Sequence, residues 1–209
     1  MTDLIDITNA LTNGDVDTVT SLVKEAVEQD IGAERILSEG LMSGMDIVGD
    51  RMETGEMFIP EVLMAANCMS EAVKILKPLL SEDEMSSSGR LVIGTVKGDL
   101  HDIGKNLVTM MVESTGFEVT DLGVDVPPEN FIKAIREKEP KILALSALLT
   151  TTMPMLQQTI TAIEDSGLRD QIKIIVGGAP VTREYADKIG ADGYASDAGS
   201  ASKLAKSLC

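Results

Sequence analysis

The sequence predicts an α + α/β protein: a four-helix bundle followed by a five-stranded parallel sheet wrapped by helices. Two observations carry this. Residues 1–80 have helical periodicity and almost no strand signal, whereas from Arg90 onward short apolar runs alternate with amphipathic ones. Between them, "SEDEMSSSG" (Ser81 to Gly89) is polar and serine-rich and reads as a linker. The expected domains are therefore 1–88 and 89–209.

In the first half the pattern gives helices over 2–12, 15–30, 33–54 and 60–80. Asn13-Gly14 and the "ETG" before Glu56 mark the breaks, and Pro60 suits a first helical turn. Short connections imply neighbouring, mostly antiparallel helices. In the second half "RLVIGTV", "FEVTDLG", "KILALSAL", "IKIIVGG" and "GYAS" read as strands. The helices that follow them begin near Ile103, Pro128, Met153, Thr182 and Ala198. Five β-α units in this length suggest a flavodoxin-like (Rossmann-like) sheet of order 2-1-3-4-5.

Composition narrows the function. Lys and Arg total 18 against 34 Asp and Glu, a net charge of −16, which argues against nucleic acid as a partner. Three Phe and two Tyr leave little for base stacking. Cys68 and Cys209 belong to no paired metal or redox motif, and no apolar run approaches the roughly 20 residues that span a bilayer. The N-terminus lacks a signal-peptide pattern, so a cytoplasmic location with no membrane contact is expected.

Open sheets of this kind bind ligands at the carboxyl ends of strands, beside the first strand. There the sequence reads "GTVKGDLHDIGKN", which holds the one histidine of the chain, His101. The loop after the third strand offers Ser146, Thr150, Thr151 and Thr152, and the fourth strand ends in Gly177-Gly178. Each has an ordinary alternative. Asp99 or Asp102 could cap a helix, the threonines could satisfy turn backbone, and the glycine pair could be a tight turn. Their joint placement on one edge favours a ligand site.

"DLHDIG" has the D-x-H-x-x-G spacing of cobalamin-binding domains that hold the cofactor base-off, with histidine on cobalt. "SALLT" and "GG" resemble the later cofactor segments of that family. The stretch "GEMFIPEVLMAANCMSEAV" (Gly55 to Val73) resembles the helical cap of cobalamin-dependent methionine synthase. Together, nearly the whole chain is similar to the small corrinoid proteins of methylamine-type methyltransferase systems.

The resemblance implies a corrinoid cofactor alternating between cob(I)alamin and methylcob(III)alamin, and a role as methyl carrier rather than an enzyme on its own. It implies His101 as the lower cobalt ligand and Asp99 as acceptor of a hydrogen bond from the other ring nitrogen. Gly104 would leave room for the corrin. Ser146, Leu148 and Thr150 would line the slot for the displaced nucleotide tail, and Gly177 and Gly178 would pack against it. Thr152 stands where methionine synthase has a serine completing a His-Asp-Ser relay. Phe58, with Met57, Leu63 and Met64, would form an apolar cap over the upper face.

The implied partners are a substrate-specific methyltransferase and a reductive activator of the corrinoid. A second methyltransferase would deliver to tetrahydrofolate or coenzyme M. The competing readings are the cobalamin subunit of an adenosyl-dependent isomerase, a cobalamin-based sensor, and a cofactor-free phosphoacceptor of the same fold.

Overall fold

The computed structural model describes residues 2–80 and 88–209. The backbone forms two compact units, one all-helical and one built around a sheet. The linker expected at 81–89 lies outside the described residues except at its last two positions.

The helical unit has the four expected helices: α1 (Leu4–Thr12), α2 (Val16–Glu28), α3 (33–53) and α4 (Ile59–Leu76). Asp3 and Asp15 start the first two, each accepting a bond from a first-turn amide, Ile5 N–H and Thr18 N–H. At the start of α4 the Glu61 carboxylate accepts from the Phe58 N–H at 2.8 Å, and Pro60 supplies a pre-set φ.

Periodicity did not reveal that α3 is irregular: Ile36–Met42 is wound as a π-helix within it. Two glycines on α3 face α1. A Cβ on Gly44 would lie 2.9 Å from Leu11, and the buried Thr8 hydroxyl donates to the Gly40 carbonyl at 2.8 Å. The core of this unit is aliphatic and includes Ile7, Leu11, Val19, Val23, Leu41, Met45, Val48, Val62 and Met57.

In the second unit β1 (Gly89–Thr95), β2 (Phe117–Asp121), β3 (Ile142–Ser146), β4 (Lys173–Gly177) and β5 (Gly193–Ala195) are all parallel. Their order is β2-β1-β3-β4-β5, the one read from the sequence. The helices are α5 (Ile103–Glu113), α6 (Pro128–Lys138), α7 (Met153–Asp165), α8 (Arg183–Lys188) and α9 (Ala198–Ser207).

Both faces of the sheet are covered, which is why its central strands are apolar throughout. Val92, Leu143, Leu145, Ile174 and Val176 pack on Phe131, Ile135, Leu156 and Ile160 of α6 and α7. On the other face Leu91, Ile93, Ile142, Ala144 and Ile175 pack on Val112 of α5 and Ala205 of α9. Among the described residues no helix is long and apolar enough to cross a membrane.

Gly94 sits where β1 meets Phe131; a Cβ there would lie 2.8 Å from the ring. Since Phe131 is fully buried, it has nowhere to retreat. Gly94→Ala is expected to cost about 1–3 kcal/mol by overpacking, read as a lower urea midpoint. Unchanged stability would show that the ring can shift.

Candidate functional site

The sheet reverses its order between β1 and β3, and the chain leaving β1 makes a tight turn there. The Asp99 N–H donates to the Val96 carbonyl at 3.1 Å, with Gly98 at φ +82° in the third position. That position of such a turn needs a positive φ, hence glycine. The turn aims Asp99 inward and His101 outward. Asp99 is fully buried, while the His101 side chain is 50% exposed.

The carboxylate of Asp99 is surrounded by donors. Its Oδ1 lies 2.7 Å from His101 Nδ1 and accepts the His101 backbone N–H at 3.1 Å. Its Oδ2 accepts from the Leu148 N–H at 2.7 Å, the Leu149 N–H at 3.3 Å and the Thr152 hydroxyl at 2.6 Å. Burial works against the ionised form, but the bonds from Thr152, His101 and Leu148 together outweigh it. They hold the carboxyl well below the usual carboxylate range. A carboxylate facing Nδ1 makes that nitrogen the proton carrier and leaves the Nε2 lone pair outward.

The sequence had left open whether Asp99 merely caps a helix; it does not, since α5 begins only at Ile103 and the carboxylate is committed elsewhere. Thr152 Oγ1 also lies 2.9 Å from the Leu149 carbonyl. That carbonyl already accepts the Thr152 and Met153 amides, so the hydroxyl proton is free for the charged oxygen. Thr152→Val leaves a buried carboxylate short of a donor. It should lower apo stability by about 1–3 kcal/mol, with Thr152→Ser retaining most of it. Equal denaturation midpoints for the two variants would remove the hydroxyl from this network.

The other expected residues line the same edge. Ser146 ends β3, paired in register with Thr95 of β1 and Gly177 of β4. By alternation from Ala144 and Ile175, Ser146 and Gly177 lie on the sheet face that α5 and α9 cover. Gly178 has φ +129°, and a Cβ there would fall 1.9 Å from the Ala147 carbonyl oxygen, so no other residue fits. A Cβ on Gly104 would meet nothing within 4 Å, so this glycine borders open space.

Leu148 contributes its backbone N–H to Asp99, while its side chain is exposed, as are Leu149, Leu100 and Ile103 around His101. Thr150 is exposed in the turn before α7 and is not among the donors to Asp99. Phe58 belongs to the helical unit, where it is 68% exposed. Leu63 and Met64 are exposed with it, but Met57 is in the core.

Three residues of the edge escaped the sequence reading. Thr95, buried at the end of β1, donates its hydroxyl to the His101 carbonyl at 2.9 Å. Asp125, in the loop after β2, accepts the Gly98 N–H at 2.6 Å. Lys105 of α5 is buried, donating to Asn106 at 2.6 Å and pairing with Asp121 at the end of β2. A threonine ending an apolar strand and a lysine on the inward face of a helix were the available signals; Asp125 gave none.

The donor set fits a metal that brings its own macrocycle. Among the described residues no group of three or more His, Cys, Asp and Glu could hold a bare ion. The site offers one outward imidazole, apolar side chains around it and glycines where bulk must pass. A cofactor that brings its own ring and metal would fit here with His101 as its protein ligand, as histidine ligation of such cofactors does elsewhere.

Comparison with known proteins agrees. Two family profiles, each described as a B12 binding domain, match residues 5–77 and 89–202. The dimethylamine corrinoid protein 1 of Methanosarcina acetivorans is 45% identical over 92% of this chain and 90% of its own. The trimethylamine corrinoid protein 1 of the same organism is 42% identical over 91% and 89%. In the methanol:cobalamin methyltransferase complex of Methanosarcina barkeri, a chain superimposes with a TM-score of 0.84 at 30% identity. The match covers 98% of this chain and 78% of that one. With two B12 binding domains in tandem and relatives alike over nearly their full length, the chain belongs to the corrinoid protein family.

Proposed function

We propose that this protein is a corrinoid methyl carrier serving a methylamine-type methyltransferase system. A substrate-specific methyltransferase loads it, and a second one unloads it toward tetrahydrofolate or a thiol such as coenzyme M. The observation that carries the reading is the Asp99–His101 pair at the switch point of the sheet, Nδ1 tied inward and Nε2 free outward. When bound, the corrinoid supplies a cobalt that takes up and gives away a methyl group.

The chain's own residues hold, tune and shield. His101 would supply the ring nitrogen that holds the cobalt. Asp99 fixes the tautomer and, with Thr152 behind it, would let the pair hold a proton at the imidazole. Gly104 would leave room for the ring; Ser146, Leu148 and Thr150 would line the slot for the nucleotide tail; Gly177 and Gly178 would let it lie against the backbone. Phe58, exposed with Leu63 and Met64 on the helical unit, would offer an apolar surface to the cofactor.

On this reading the domains are 1–88 and 89–209, and the cobalt ligand lies in the second. The protein works in the cytoplasm with a reductive activator and is not an enzyme alone, because the substrate pocket belongs to its partner.

The test is to load the purified protein with a corrinoid, reduce it, and add dimethylamine or trimethylamine with the matching methyltransferase. Stoichiometric transfer of the methyl group to the protein is expected. Absence of transfer from every methylamine tried, with turnover appearing only on an adenosylated cofactor, would point to isomerase chemistry instead.

A further inference from the structure

The loop that carries Asp99 and His101 is held by a residue outside the D-x-H-x-x-G segment. We propose that Asp125 is a positioning residue that clamps this loop. The proposal rests on reading His101 as the axial ligand, and it adds how the backbone behind that ligand is kept in place.

Two hydrogen bonds run in opposite directions between the segments. The Gly98 N–H donates to Asp125 Oδ1 at 2.6 Å, and the Asp125 N–H donates to the Asp99 carbonyl at 2.9 Å. Both flank the turn that sets the Asp99 carboxylate and the His101 ring. Asp125 makes this double contact from a left-handed backbone, φ +54°, which few residues other than Gly, Asn and Asp adopt readily.

The loop that bears Asp125 is itself anchored to the sheet. The Thr95 N–H donates to the Gly123 carbonyl at 2.9 Å, and the Val126 N–H donates to the Thr95 carbonyl at 3.0 Å. Val96 pairs with Val126 in an isolated bridge. From the other side the Thr95 hydroxyl holds the His101 carbonyl. The residues before His101 are thus tied to β1 through the β2–α6 loop, and the His101 carbonyl is tied to it directly.

The consequence concerns ligand exchange. A carrier whose imidazole must leave and return needs a backbone that does not leave with it. With Gly98 and Asp99 clamped, release becomes a motion of the His101 side chain alone, and re-ligation starts from a nearly correct geometry. Without the clamp, the turn around Gly98 loses its one acceptor contact with the β2–α6 loop, and the ring samples positions away from its partner.

Three substitutions separate the roles. Asp125→Asn keeps an acceptor oxygen and tolerates the left-handed backbone. Asp125→Gly removes the acceptor without strain, and Asp125→Ala removes it and adds strain. In the apo protein, the Gly98 amide should exchange with solvent more than about 10-fold faster in the Gly and Ala variants and near the wild-type rate in Asn.

In the cob(II)alamin-loaded protein, the axial-nitrogen splitting of the electron paramagnetic resonance spectrum should weaken in the Gly and Ala variants. Corrinoid affinity should fall about 10-fold or more, as for other groups that orient a metal ligand. Wild-type exchange and full nitrogen splitting in Asp125→Gly would overturn the clamp. If wild-type itself shows no nitrogen splitting, the ligand assignment fails, while the exchange experiment on the apo protein still decides whether Asp125 holds the loop.

Discussion

His101→Ala folds almost as well as the wild type and binds corrinoid far more weakly. The two halves of this expectation have separate physical grounds. The imidazole is half exposed, and its recorded partner is Asp99 Oδ1. When the ring is removed, Oδ1 still accepts the His101 backbone N–H, and Oδ2 keeps all three of its donors. One charge-assisted bond is lost at a wet position, so the apo protein should lose about 1–2 kcal/mol or less.

The cofactor, in contrast, loses its protein ligand to cobalt. Loss of a group that merely orients a metal ligand costs about 10–100-fold in affinity; removal of the ligand itself should cost more. The visible spectrum of the loaded variant should lose its histidine-ligated form. An unchanged spectrum with unchanged affinity would refute the assignment of His101, whatever the stability shows.

How much of this was readable beforehand depends on the range of the interactions. The alternation of apolar runs and helices suggested the sheet order that is observed, because parallel strands joined by short crossovers leave few topologies. The Asp99–His101 contact spans two residues, and the D-x-H spacing contains it. Asp99 to Thr152 spans 53 residues, and only the resemblance to the relay of methionine synthase suggested it.

Asp125 was invisible for a different reason. Its partners Gly98 and Asp99 are adjacent to each other but 27 and 26 residues from it, and the aspartate in "LGVDVPP" does not announce which distant N–H it accepts from. The π-wound stretch of α3 also left no trace, since Ile36, Leu37, Gly40 and Leu41 keep an apolar face compatible with an ordinary helix. Met57 misled in the same way. An apolar residue next to a cap motif can face either the core or the solvent, and it faces the core.

Asp99→Asn should damage both folding and binding, and this distinguishes it from His101→Ala. A carboxylate can accept all five of its bonds; an amide can accept only on one oxygen. If the amide oxygen is placed toward Leu148, Leu149 and Thr152, the amide nitrogen must face the His101 amide N–H and ring. If it is placed toward His101, the nitrogen opposes the Leu148 N–H at 2.7 Å. Either orientation sets donor against donor at a site with no exposed surface. The expected cost is about 1–3 kcal/mol of apo stability, together with an about 10–100-fold loss in corrinoid affinity as the imidazole loses its carboxylate partner.

The pH dependence supplies an independent check. The folded-state pKa of Asp99 is depressed, so its stabilising contribution is complete above the unfolded carboxylate value of about 3.9 and is lost as the pH falls through the lower folded value. The part of the stability difference between wild type and Asp99→Asn that comes from Asp99's own titration should therefore be constant from neutral pH down to about 5. It should then shrink under more acid conditions, where both chains carry an uncharged group at this position. A gap that widened on acidification would mean that the ionised Asp99 destabilises the fold, and the five hydrogen bonds would then have to be assigned to a protonated carboxyl.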